Sequence, residues 1–140
     1  LIHVVRLFED ENVSHVEGGL DPIRDIKIVE TELLIRDIAS VDKRMEKLQK
    51  TARIGDKDSK IELAILEIIL PQMNNGIMVH DMELENNQRK RIRKMALLTA
   101  KPVLYVANVD EDEILEKNRS KNIKTKQLVD RKWHVFTVLE

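Results

Sequence analysis

An α/β architecture follows from three features of this 140-residue sequence. Short apolar segments rich in β-branched residues, LIHVVRLF at the start and PVLYVAN and HVFTV toward the end, carry the pattern of strands buried on both faces. The stretches between them are long enough for crossovers, which makes a parallel sheet the expected arrangement. The stretch between the first two strands is much longer than a crossover needs and is helical in its periodicity. It reads as a domain inserted into the sheet.

The first strand, within Leu1 to Phe8, is bounded by the acids Glu9, Asp10 and Glu11. Turn chemistry follows at Asn12, Ser14, Gly18 and Gly19, and Asp21-Pro22 then places an N-cap and a first-turn proline at a helix start. In that helix Leu34, Ile38, Val41, Met45, Leu48 and Ala52 alternate spacings of four and three, a heptad seam. Arg36, Asp37, Asp42, Lys43, Arg44, Glu46, Lys47 and Lys50 are expected on its wet surface. Gly55-Asp56 is a plausible stop. A second helix is expected from about Ser59, with Ile61, Ala64, Ile65, Ile68 and Ile69 on or near the packed face, until Pro71 kinks or ends it. Two such helices joined by a few residues run antiparallel, each covering the other's stripe. Gly76 marks the next turn. ELENNQRKRIRKMALLT reads as a third helix with Ile92, Met95 and Leu98 inward. The expected divisions are 1–18 (sheet strand and junction), 19–99 (helical insert) and 100–140 (strand, helix, strand).

Composition narrows the function classes. The chain is 42% hydrophobic and 35% charged, enough for one domain with a modest core, and its formal net charge of -1 sets up no global field toward nucleic acid or membrane. Any such contact has to come from a local patch. No cysteine is present, which excludes disulfides, thiol catalysis and cysteine zinc sites and is compatible with a reducing compartment. No apolar run reaches the roughly 18 residues that span a bilayer. The chain begins inside LIHVV without a methionine and stops after HVFTVLE, so a longer polypeptide is expected around it.

The segment KPVLYVANVDEDE ends a strand on Asn108, at the carboxyl edge where open α/β sheets bind ligands. Strand-then-Asn-x-x-acid resembles the base-recognition motif of P-loop GTPases, usually Asn-Lys-x-Asp and here Asn108-Val109-Asp110-Glu111. HVVRLFEDENVSHVEGGLDPIRDIKIVETEL and LLTAKPVLYVANVDE, within residues 1 to 113, resemble the Obg-like ATPase (YchF) family. The resemblance implies part of a Ras-like P-loop NTPase sheet carrying an inserted antiparallel coiled-coil hairpin. It further implies a cytoplasmic, ribosome-associated protein that hydrolyses the β-γ bond of ATP, preferred over GTP, with Mg²⁺. The family's closing strand runs into a Ser-Gly or Ser-Ala element beside the base; Phe136-Thr137-Val138 puts Thr137 in the serine's place without the small residue after it. Residues 114–133 match only in being a charged helix before a strand. No Gly-x-x-x-x-Gly-Lys-Ser/Thr exists among the four glycines, so this chain by itself is not expected to turn over nucleotide.

The motif has its own chemical logic. Guanine presents two donors, N1–H and the 2-amino group, which one carboxylate accepts side by side; adenine's N1 is an acceptor and repels it. At the fourth position Glu111 is one methylene longer than aspartate, and Val109 replaces the lysine whose stem covers the base. Both departures weaken guanine selection. Asn108 still has an amide for a purine N7, and the backbone of Val109 can meet the base edge. The bland alternative for Asn108 is an N-cap before VDEDEILE, with Asp110, Glu111, Asp112 and Glu113 complementing the helix dipole.

Elsewhere the chemistry is sparse. His3, His15, His80 and His134 show no metal-ligand spacing, and no serine sits in a nucleophile elbow. His15 and Glu17 read as a structural junction first and a nucleotide-state relay second. Met45, Met73, Met78, Met82 and Met95 read as gap-fillers in helical packing, and Phe8, Tyr105, Trp133 and Phe136 are too few for a base-stacking platform. Two basic clusters stand out: Arg89, Lys90, Arg91, Arg93 and Lys94, and Lys117, Arg119, Lys121, Lys124 and Lys126. A solvated helix face explains most such runs, while contact with ribosomal RNA, through the first cluster, is what the resemblance implies; nothing reads a DNA sequence or enters a membrane. The contrasting reading is a non-enzymatic module whose helical hairpin binds a partner.

Overall fold

Residues 1–6 and 21–108 are described in the computed structural model, in the order β1 (Ile2–Arg6), α1 (Pro22–Arg53), α2 (Lys57–Asn74), a 3₁₀ turn (Val79–Asp81), α3 (Asn86–Lys94) and β2 (Leu104–Asn108). The expected strand at 134–138, the charged helix before it and the junction around His15, Glu17, Gly18 and Gly19 lie outside the described residues. The described chain forms two compact units, one within Leu1–Lys27 and Val103–Glu140, the other Ile28–Pro102.

In the first unit β1 and β2 pair in parallel, with Ile2 opposite Leu104, His3 opposite Tyr105, Val4 opposite Val106 and Arg6 opposite Asn108. Opposed residues of a parallel pair share a face, so His3, Val5 and Tyr105 lie together. Val5 and Tyr105 are buried with Ile26 from the start of α1, Val103 packs against them, and the His3 and Tyr105 rings stand 5.6 Å apart, tilted by 41°. The entry to α1 follows the local chemistry: Asp21 Oδ1 accepts from the backbone N–H of Arg24 at 3.0 Å, and Pro22 occupies the first helical position.

The second unit is built on the heptad seam. Leu34 and Val41 are buried, with Ile38, Met45 and Leu48 packed against the same cluster. α1 ends where expected, on Gly55 at φ +99°, whose N–H donates to the Ala52 carbonyl while that of Asp56 reaches Thr51. Only Ile54, Gly55 and Asp56 separate α1 from α2, so the chain turns straight back. Thr51 Oγ1 lies 2.7 Å from Ser59 Oγ, and Arg44 of α1 pairs with Glu62 of α2. Asp56 caps α2 by accepting from the Ser59 N–H at 2.8 Å.

α2 departs from expectation in its packed side, and of the two alternatives at Pro71 it excludes an end. Its buried side is Ile65, Leu66, Ile69 and Met73, whereas Ile61 is 49% and Ile68 45% exposed and Ala64 is also outside. Two apolar stripes share this helix, and periodicity alone does not say which meets a neighbour. Pro71 does not end the helix, which continues to Asn74. Pro71 is exposed, so the carbonyl it leaves without a helical donor can be hydrated. The stop is Gly76 at φ +82°, with N–H bonds from Gly76 to Met73 and from Ile77 to Gln72.

Met73, Met78, Val79, Met82, Ile92 and Leu97 complete this core. Met78 and Met82 flank the 3₁₀ turn, so they fill gaps under a loop more than between helices. α3 is shorter than its sequence implied. It closes at Lys94, because Ala96 takes a left-handed conformation at φ +56°, and Leu97 is buried beyond it while Leu98 is half-buried. No described helix is long and apolar enough to cross a membrane.

Candidate base-binding edge and basic helix face

Parallel pairing brings the carboxyl ends of β1 and β2 to one edge, Arg6 beside Asn108. Asn108 is the last residue of β2 and is half-buried. A side chain at that point stands at the mouth of the sheet, where the chain leaves the ladder and backbone and side-chain groups become available to a ligand. Val109, Glu111 and Thr137, the other expected base contacts, lie outside the described residues, as do the acids Asp110, Asp112 and Glu113. Among the described residues no group of three or more histidines and carboxylates could hold a metal ion.

The basic cluster of α3 divides on inspection. Arg89 is held by the fold: its Nη2 donates to the Met82 carbonyl at 2.8 Å and its Nε to that of Leu84 at 3.2 Å, closing the loop before α3. Arg91 Nη2 pairs with Asp58 Oδ1 at 2.9 Å, tying α3 to the first turn of α2. Lys90, Arg93 and Lys94 are exposed. The second basic cluster, from Lys117 onward, is outside the described residues.

Sequence reasoning missed a buried clamp. Asp37, expected on the wet surface of α1, is 4% exposed, and its Oδ2 accepts from both the backbone N–H and the hydroxyl of Thr99, each at 2.7 Å. The Thr99 carbonyl in turn accepts from the backbone N–H of His80 at 2.9 Å and lies 2.9 Å from its Nδ1. A carbonyl only accepts, so Nδ1 carries the proton. The chain just before β2 is thus fastened to the middle of α1 and to the 3₁₀ turn. A signal for Asp37 existed, since it lies three residues after Leu34 and four before Val41, within the seam. His80 is accordingly a histidine satisfied at Nδ1.

No protein-family model matches the chain. The solved structure of the Schizosaccharomyces pombe YchF GTPase superposes with a TM-score of 0.80 at 32% identity, covering 98% of this chain and 39% of that one. The chain is therefore part of a P-loop GTPase-fold protein. Ribosome-binding ATPase YchF of Escherichia coli O157:H7 is 44% identical over 110 residues, 79% of this chain, and that of Bacillus subtilis is 38% identical over 123 residues, 88% of this chain. The chain belongs to the YchF family. It spans 30% and 34% of the lengths of those two relatives.

Proposed function

We propose that this chain is the base-recognition part of a cytoplasmic, ribosome-associated nucleotide hydrolase, carrying an inserted antiparallel coiled-coil hairpin built from α1 and α2. The observation that carries the reading is the parallel pair ending together at Arg6 and Asn108, in a chain whose relatives are named ribosome-binding ATPases. In the intact protein Asn108 would take the purine edge, Val109 would lie against the ring, Glu111 would stand where a guanine-reading aspartate usually does, and Thr137 would border the base. ATP is then preferred over GTP, because the longer carboxylate and the missing lysine stem forfeit the paired acceptors and the cover that favour guanine. Hydrolysis of the β-γ bond, with Mg²⁺ neutralising the phosphates, would depend on a phosphate-binding loop supplied from outside this chain.

The test uses the intact protein. Asn108→Ala should weaken ATP and GTP binding alike by roughly tenfold, the loss of one or two charge-free hydrogen bonds. Glu111→Asp combined with Val109→Lys should shift preference toward GTP. An unchanged ATP-to-GTP ratio in paired titrations would show that the base is not read here. If both variants retain full nucleotide affinity and ribosome association persists, the non-catalytic interaction module is the better description.

A further inference from the structure

We infer that the outward face of α2 is a self-association surface, on which a second copy of the protein lays its own α2 antiparallel along Ile61, Ala64, Ile68 and Pro71. The inference stands apart from the nucleotide and ribosome reading above.

α2 carries a second seam. Its packed side, Ile65, Leu66, Ile69 and Met73, belongs to the helical core. On the opposite side Ile61, Ala64, Ile68 and Pro71 are spaced three, four and three, the a/d spacing by which one helix receives another, and all four are exposed. Lys57 holds the seam position before Ile61, and the C-cap Asn75 holds the one after Pro71, so polar residues close the stripe at both ends. Ile35 of α1 supplies the contrast. It is more exposed, at 62%, but its exposed neighbours at helical spacing are Thr31, Glu32 and Ala39, which make no seam.

The flank of the stripe identifies the occupant. Lys60 and Glu67 both take the g position of this heptad, are exposed, and have no ion pair among the described residues. Seven residues separate them, about 10 Å along the axis, too far for them to neutralise each other. The other flank, at Ile65, is turned into the protein's own core. In an antiparallel pair the g flanks face one another. A two-fold axis passing between Ile61 and Ala64 sets Lys60 across from the partner's Glu67, and by symmetry Glu67 across from the partner's Lys60. The same axis places Ile61 against the partner's Ala64, whose small side chain lets the helices approach, and lays the stem of Lys57 over the partner's Ile68. A parallel pair would bring Lys57 beside the partner's Lys57 and leave Lys60 and Glu67 without opposite charges. Opposite signs one heptad apart on one flank therefore fit α2 to its own reversed copy. Four turns of helix bury roughly 800 Å² in all, less than the about 1,200–2,000 Å² of stable complexes, so the pair is weak, with a dissociation constant on the order of 100 µM. Dilute protein is then monomeric.

The experiment is sedimentation velocity of the intact protein from about 10 µM to about 1 mM, with nucleotide affinity and dilute thermal unfolding measured on each variant. Ile61→Gln with Ile68→Gln should abolish association. Lys60→Glu and Glu67→Lys should each weaken it about fivefold or more, since every change counts twice across the axis, and the two together should restore it. Ile35→Gln should leave it unchanged. Nucleotide affinity and dilute melting temperature should stay at wild-type values throughout. A wild type that remains monomeric at about 1 mM, association that survives the double glutamine variant, or a charge exchange no better than either single reversal would each overturn the assignment. So would a lower melting temperature of the double glutamine variant in dilute solution, which would show that other parts of the same polypeptide cover the stripe. Loss of ribosome co-sedimentation in that variant with self-association intact would likewise overturn it and give the stripe to the ribosome.

Discussion

Replacing Asp37 with alanine would leave the N–H and hydroxyl of Thr99 without their acceptor in a site where Thr99 is fully buried. Each orphaned donor costs about 1–3 kcal/mol, so Asp37→Ala should destabilise the helical unit by roughly 3 kcal/mol in urea unfolding. Asp37→Asn, which retains an acceptor, should cost less. Ala96 presents the opposite case: a side chain held at φ +56° carries strain that glycine relieves, and Ala96→Gly should raise stability by about 0.5–1 kcal/mol. A loss of stability would mean that the Ala96 methyl contributes more than its conformation costs. Asp56 sets a pH dependence. The Ser59 hydroxyl, and after it the Ser59 N–H, holds this carboxyl below its ordinary value. A depressed carboxylate stabilises the fold fully above the unfolded value, about 3.9, and the contribution disappears as pH falls through the lower folded value. Asp56→Asn should therefore flatten the melting-temperature profile below about pH 4. An identical acid limb in the variant would remove Asp56 from the account.

At the level of elements, α2 permits a comparison between neighbours of the same type. Ile69 is fully buried among Ile65, Leu66 and Met73, while Ile68, one residue earlier, faces outward. Ile69→Ala should cost about 3–4 kcal/mol through lost burial and the cavity left behind, and Ile68→Ala less than about 0.5. Similar losses at both positions would mean that the exposed stripe of Ile61, Ala64 and Ile68 is covered in solution. The same logic separates Ile38→Asp on the seam of α1, expected to cost several kcal/mol, from Glu46→Lys off it, expected to be near neutral.

For the whole molecule, the two compact units predict separable losses. In the intact protein, Ile38→Asp should impair ribosome association through the helical unit while leaving nucleotide affinity within about twofold, because the residues assigned to the base belong to the other unit. Co-sedimentation and nucleotide titration on the same preparation decide this. Parallel loss of both activities would show that the units fold as one. Among the described residues the sheet is a single parallel pair, β1 with β2.

Local chemistry determined where elements begin and end: Asp21-Pro22 starts α1, Gly55 and Asp56 turn the chain into α2, and Gly76 closes it, because caps and left-handed glycines act over a few residues. Periodicity likewise determined the α1 seam and the strand ending at Asn108. Tertiary structure decided which of two apolar stripes on α2 is buried, that Asp37 belongs inside, and that Arg89 and Arg91 hold the fold while Lys90, Arg93 and Lys94 remain available. Those outcomes depend on partners far away in sequence. Asp37 meets Thr99 across 62 residues, and Arg91 meets Asp58 across 33. Helical spacing states which residues share a face, but the neighbour that covers the face, or satisfies a charge on it, is supplied only by the fold.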